Sequence, residues 1–172
     1  GLVCSCRSDK VLEKLLLAHD NDYLISTVDM TAGYIKFIQT VVGGDRIWLD
    51  SGGFTLFKKQ KKLGENNPDF WNECEKMKKK FLRFLKTYRF KMCFDFRKDD
   101  DLLSPKNYLR DEIKEITGYY PAPVFKMHQG FQYWKDLCDS ALYPILSIGG
   151  LAQARQWHVY RDELGKMMKY AR

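Results

Sequence analysis

The segment RIWLDSGGF, residues 46–54, decides how the rest of the sequence is interpreted. Its first half is a short run of apolar, strand-forming residues, and its second half is a glycine turn that opens with an acid. Short apolar runs bounded by glycine are typical of buried strands. We therefore predict a strand over Arg46–Leu49, followed at once by a polar loop.

The same alternation extends in both directions from this segment. The further strands we predict are Leu2–Cys6, Tyr23–Thr27, Phe90–Phe94, Ala122–Met127 and Tyr143–Ile148. The helices we predict are Asp9–Ala18, Thr31–Val41, Pro68–Tyr88, Pro105–Thr117, Phe131–Ser140 and Ala152–Tyr170. Strands that alternate with helices predict an α/β protein with a parallel sheet. Six βα units fit either an open doubly wound sheet or a partial (β/α)8 TIM-type barrel, and periodicity does not separate the two.

Composition predicts a single domain over residues 1–172, because the chain is 45% hydrophobic and no linker divides it. The five cysteines are odd in number, which favours a reducing compartment. No apolar run is long enough for a membrane span. We therefore expect a cytoplasmic protein. Cys4-Ser5-Cys6 lacks a second ligand pair, so we expect no metal and no cofactor in this chain.

The net charge of +7 is concentrated between Lys58 and Lys91. Within the helix predicted over Pro68–Tyr88, apolar residues recur at three- and four-residue spacing and leave the lysines on the other face. A basic face of this kind is able to bind a phosphate backbone, although a solvated helix face explains the same pattern. The predicted nucleic-acid contacts are Lys78, Lys79, Lys80 and Arg83.

Chemically useful residues follow four predicted strands, at the ends where parallel βα folds place their sites. They are Asp50-Ser51-Gly52-Gly53-Phe54, Asp95, His128-Gln129-Gly130 and Gly149-Gly150-Leu151-Ala152. Two carboxylates accept from donors such as the N1–H and the exocyclic amine of guanine. A glutamine amide and a glycine N–H donate to a carbonyl such as guanine O6, and a phenylalanine offers a face for stacking. Together these residue types predict a pocket with the polarity of guanine.

These motifs resemble those of the tRNA-guanine transglycosylases. Residues 50–54 are similar to the family's DSGGF/Y signature, Met92 to Asp95 to its second aspartate segment, Val124 to Gly130 to its glutamine-glycine strand end, and Ile148 to Ala152 to its IGGLA segment. The order is the family's order, and compact phage-encoded relatives resemble the chain even more closely. The resemblance implies that the protein acts in a bacterial cell or a phage-infected host. The resemblance covers about Tyr23 to Arg155.

The resemblance implies a base-exchange protein that inserts guanine or a 7-deazaguanine into tRNA or DNA. Asp50 would contact the base and assist proton transfer, and Asp95 would read the N1 and N2 donors. Gln129 and the Gly150 backbone N–H would hold O6, and Phe54 would stack on the base. The remaining substrate-binding residues that these motifs imply are Ser51, Gly149 and Leu151.

Three departures from the family leave other interpretations open. The family's nucleophilic aspartate and its zinc site lie beyond the IGGLA segment and have no counterpart before Arg172, and Phe96 replaces a common glutamate. We therefore expect the barrel to lack its last strands and to be completed by a second polypeptide or a homo-oligomer. A catalytically silent base- or nucleic-acid-binding module that needs a partner chain, and an unrelated α/β enzyme with an anionic substrate, remain alternatives.

Overall fold

The computed structural model describes residues 22–64, 66–96, 108–149 and 157–171. The strands are β1 (Tyr23–Ser26), β2 (Ile47–Asp50), β3 (Met92–Cys93), β4 (Val124–Lys126) and β5 (Ser147–Gly149). The helices are α1 (Ala32–Val42), α2 (Gly53–Leu63), α3 (Pro68–Thr87), α4 (Tyr108–Thr117), α5 (Gly130–Asp139) and α6 (Trp157–Tyr170). Short 3-10 turns precede β2 and follow β4.

All strand pairings are parallel, and neighbouring strands follow one another in the sequence. One sheet has the order β1-β2-β3, the other pairs β4 with β5, and a parallel bridge between Phe94 and Ala122 joins them. The prediction of a mixed α/β fold with parallel strands is confirmed. The described residues do not close a barrel.

Strand β2 shows why these residues form a sheet covered by helices. Ile47 and Leu49 are fully buried, whereas Trp48 and Asp50 on the opposite face are half-buried. The buried side packs against α3, where Phe81 is also fully buried. Each such side chain stabilises the fold by about 1.5–3 kcal/mol through its removal from water. A second apolar cluster lies beneath β4, β5, α5 and α6.

Helix α3 begins where the sequence predicts. The Asn67 side chain accepts from the Asp69 backbone N–H at 2.9 Å, and Pro68 occupies the first turn, where its missing N–H costs no hydrogen bond. The helix ends at Thr87, one residue before the predicted end.

Helix α2 is the main element that the sequence analysis missed. It follows β2 directly, yet its sequence buries only Leu56 among its eleven residues, so it shows no clear apolar stripe. A side-chain ion pair between Lys59 and Glu73 joins it to α3. Tertiary packing therefore supports this helix more than its own pattern does.

Several strands are shorter than predicted. The segment Tyr143–Ile148 is a strand only from Ser147, and Pro144 within the predicted strand has no N–H to donate to a ladder. In the same way β2 starts at Ile47 because a 3-10 turn takes up Gly44–Arg46. The predicted strand Leu2–Cys6 and helix Asp9–Ala18 lie outside the described residues. In the part of the chain that is described, no helix combines the length and apolar character of a membrane span.

Candidate functional site

Asp50 ends β2 and is held in place by β1. The Thr27 backbone N–H and hydroxyl both donate to the Asp50 carbonyl oxygen, at 2.9 and 2.6 Å. Thr27 is completely buried, so water does not compete for these bonds. The backbone of Asp50 is therefore fixed where the two strands end.

The Asp50 carboxyl group is tuned by its surroundings. Burial raises its pKa above the ordinary value, the backbone N–H of Gly52 partly offsets this, and the charge of Asp29 raises it further. A carboxyl group shifted toward neutral pH is suited to accept and return protons. Asp29, in the turn that follows β1, is a site neighbour that the sequence did not single out.

Asp95 lies at the same edge, one strand further along. The Ser51 hydroxyl donates to the Asp95 carbonyl oxygen at 2.8 Å in the buried interior, which links the loop behind β2 to the loop behind β3. The Asp95 N–H donates to Ala122 at 2.9 Å, which ties it to β4 as well. The structure thus brings the backbone segments of Asp50, Ser51 and Asp95 together at one edge of the sheet, and the Ser51 hydroxyl bridges the two loops.

Asp95 is 5% exposed and lies among polar groups that are themselves buried. Burial, with the nearby charge of Asp95, raises the pKa of the Cys93 thiol to about 12. Burial and the Asp95 charge also raise the pKa of Tyr143, while a hydrogen bond from Arg110 lowers it. Arg110 is 7% exposed. In the sequence it appeared to be an ordinary helix charge, and no local pattern distinguishes it from one.

Gln129 lies behind β4, in the 3-10 turn that the strand leads into. Its side-chain oxygen accepts from the Lys126 backbone N–H at 2.8 Å, which fixes the orientation of the amide. The predicted contact with guanine O6 requires the NH2 end of the same amide. His128 beside it is exposed.

Gly149 ends β5 opposite Lys126. A Cβ atom at this position would come within 2.4 Å of the Val124 side chain, so close packing of the two strands already requires glycine. Gly150 and Leu151, to which the sequence analysis gave base contacts, lie outside the described residues.

Phe54 lies in the first turn of α2 and is 48% exposed. The Lys58 ammonium group lies over its ring, 4.3 Å from the centroid. The predicted stacking of Phe54 on a bound base stays a prediction, and its ring now carries a cation that such a base would displace.

Of the four basic residues predicted to contact nucleic acid, Lys80 and Arg83 both lie over the Phe84 ring, 5.5 and 5.9 Å from its centroid. Lys80 is half-buried and donates to the Val28 carbonyl oxygen at 3.1 Å, beside the candidate site. Lys79 and Arg83 are exposed, and Lys78 is half-buried on a different side of the helix. Burial, more than the charge of Arg83, lowers the pKa of Lys80, and Asp29 partly offsets this.

A cavity of about 310 Å³ lies at the opposite edge of the sheet. It opens between the end of α3, the start of β3 and the end of α4, and its lining includes Lys86, Tyr88, Arg89, Ile116 and Tyr119. Parallel βα folds bind their substrates at the carboxyl ends of the strands, so the chemistry favours the edge with Asp50 and Asp95. Within the described ranges, no three His, Cys, Asp or Glu side chains are grouped to hold a metal ion.

Comparison of the chain with protein-family models, with curated proteins and with solved structures gave no match.

Proposed function

We propose that this protein binds a guanine or 7-deazaguanine base of tRNA or DNA between Asp50 and Asp95 and exchanges it in the manner of a transglycosylase. The observation that carries the proposal is the joint anchoring of the backbone carbonyl groups of the two aspartates. Ser51 and Thr27 hold the ends of β1, β2 and β3 together, so both acids lie at one edge of the sheet.

The two acids differ in a way that suits different roles. The raised pKa of Asp50 favours proton transfer during departure and re-entry of the base. Asp95 is the more deeply buried acid, and a buried acceptor discriminates strongly between ligands that satisfy it and ligands that do not. Guanine presents N1–H and an exocyclic amine to such an acceptor, whereas adenine presents a bare N1.

The strand order supports a barrel-type arrangement for this protein. Doubly wound sheets reverse their strand order at a switch point, and the ligand binds there. The order here runs β1-β2-β3, continues through the Phe94–Ala122 bridge, and ends with β4-β5. Strands added from a partner chain or a second copy of this chain would then complete a (β/α)8 barrel around the site.

A second candidate function is binding without exchange. Exchange through a covalent intermediate needs a nucleophile that attacks the ribose C1′ in addition to the two acids that hold the base. Among the described acids that follow the IGGLA segment, Asp162 is exposed in helix α6. That position favours a silent base-binding module that depends on a partner chain for turnover.

Titration calorimetry with guanine and adenine tests the proposal directly. We expect guanine to bind, adenine to bind far more weakly, and Asp95→Asn to weaken guanine binding by about 1–3 kcal/mol because a donor then faces a donor. Asp45→Asn, an exposed acid in the turn before β2, is the matched control and should bind like the parent. A folded parent protein that binds neither base excludes the proposal.

Incorporation of labelled guanine into tRNA or DNA separates the two candidate functions. Exchange by the protein alone, or with a partner chain, and its loss in Asp50→Asn would establish the enzyme. Guanine binding without incorporation under either condition would leave the binding module.

A further inference from the structure

One face of helix α2 carries aromatic and basic side chains, of which only Phe54 is predicted to contact the base in the site. Phe54, Phe57, Lys58 and Lys61 are spaced by three and four residues, so they share one side of the helix. Leu56, the buried residue of α2, lies on the opposite side. We call these four residues the α2 face.

The α2 face exposes its aromatic rings and covers them with lysines. Phe54 is 48% and Phe57 is 39% exposed. Lys58 lies 4.3 Å from the centroid of the Phe54 ring, and Lys61 lies 4.6 Å from that of Phe57. The structure thus presents two consecutive aromatic–lysine pairs, in a helix whose sequence contains four lysines and no acid.

We propose that the α2 face binds single-stranded nucleic acid, with unpaired bases stacked on the phenylalanines and phosphates in contact with Lys58 and Lys61. Aromatic rings at an exposed surface stack on any base whose face is free, and neighbouring cations follow the backbone. Paired bases keep their faces within the duplex, so the aromatic rings select a single strand. The lysine stems are long and flexible enough to leave the rings for phosphates.

The position of the α2 face connects it with the candidate base site. Helix α2 begins directly after Asp50-Ser51-Gly52, so its first turn adjoins the end of β2. A strand on the α2 face would therefore flank the nucleotide whose base enters the site. That placement rests on the proposed function, whereas the binding of a single strand does not.

The test compares affinities for a short labelled single strand and for the corresponding duplex by fluorescence anisotropy. We expect Phe57→Leu to weaken single-strand binding about tenfold, the effect of losing one base stack, and to change duplex binding little. Lys61→Gln should lower the slope of log affinity against log salt by about 0.7, the value for one phosphate contact to a single strand.

Matched controls come from the far end of the molecule. Tyr170 is 42% exposed, and the Lys135 ammonium group lies 5.7 Å from the centroid of its ring. The Tyr170 hydroxyl donates to Asp139 at the end of α5, away from the strand ends that carry the site. Tyr170→Leu and Lys36→Gln, an exposed lysine on α1, should leave single-strand affinity and its salt slope unchanged.

Three results would overturn the proposal. In the first, folded Phe57→Leu binds the single strand as tightly as the parent does. In the second, Phe57→Leu loses affinity for the single strand and for the duplex equally. In the third, the parent protein binds anionic phospholipid vesicles but no single strand. Guanine titration of the same variants distinguishes this proposal from the base site. If a variant loses single-strand binding but still binds guanine, the effect lies on the α2 face. If the parent binds the single strand but not guanine, only the proposed function is refuted.

Discussion

Replacing Gly52 with alanine should destabilise the protein and distort the candidate site. Gly52 has φ +85°, a left-handed conformation that costs a residue with a Cβ atom about 1 kcal/mol. The added Cβ would also lie 2.7 Å from the Val28 side chain and 2.8 Å from the Met77 sulfur. Relief of such overlap costs about 1–3 kcal/mol. We therefore expect the free energy of unfolding to fall by about 2–4 kcal/mol in all.

Gly53→Ala provides the matched control, because the neighbouring glycine belongs to the first turn of α2. A Cβ atom there meets only the Ser51 hydroxyl, at 3.9 Å, and alanine is the better helix former by about 0.5–1 kcal/mol. Urea denaturation followed by circular dichroism measures both variants. Guanine titration should show weaker binding by Gly52→Ala alone, since its N–H donates to the Asp50 carboxylate. Equal stability of the two variants would refute the reasoning.

Further predictions concern Asp50, Phe81 and two neighbouring lysines. Burial raises the pKa of Asp50 in the folded state, so the protonated acid stabilises the fold at pH values below 3.8, the ordinary pKa of an aspartate. This stabilisation is lost as the pH rises through the folded-state pKa. Asp50→Asn should thus be more stable than the parent at neutral pH, and the difference should disappear in acid. Urea denaturation at several pH values measures it, and a difference that stays constant with pH would contradict the prediction. Phe81→Ala removes a fully buried ring and should cost about 3–5 kcal/mol by the same assay, whereas a loss below about 1 kcal/mol would mean the core repacks. Lys80→Gln should lower the free energy of unfolding by about 1–2 kcal/mol, because it breaks the hydrogen bond to the Val28 carbonyl. Lys79→Gln, at an exposed position, should change it by less than about 0.5 kcal/mol. Equal shifts in the melting temperatures of the two variants would show that the Lys80 contact contributes little.

The roles of individual charges could be predicted only in part. The positions of Asp50 and Asp95 behind consecutive strands were evident, because parallel strands end at one edge. The burial of Arg110 and the contact between Lys80 and the β1 loop were not, since helical periodicity identifies a face but not what packs against it. The same limit explains why the pattern did not distinguish half-buried Lys80 from exposed Lys79.

The sequence by itself determined which segments become strands and helices wherever the apolar pattern is strong. Helix α3, with its cap at Asn67 and its buried Phe81 and Phe84, is the clearest example. Its pattern is local, because side chains three and four residues apart share a face in any α-helix. The glycine turn behind β2 could also be predicted from the sequence. Gly52 adopts a left-handed conformation there that other residues avoid.

Only the tertiary structure decided helix α2 and the electrostatics of the site. Helix α2 has a single buried residue, so its stability depends on contacts with α3 that its own sequence does not reveal. The raised pKa of Asp50 depends on the burial of its carboxyl group, on the Gly52 N–H that donates to it and on the charge of Asp29. Desolvation and Coulomb energies are set by distances between residues far apart in the chain, and these distances exist only after the chain has folded.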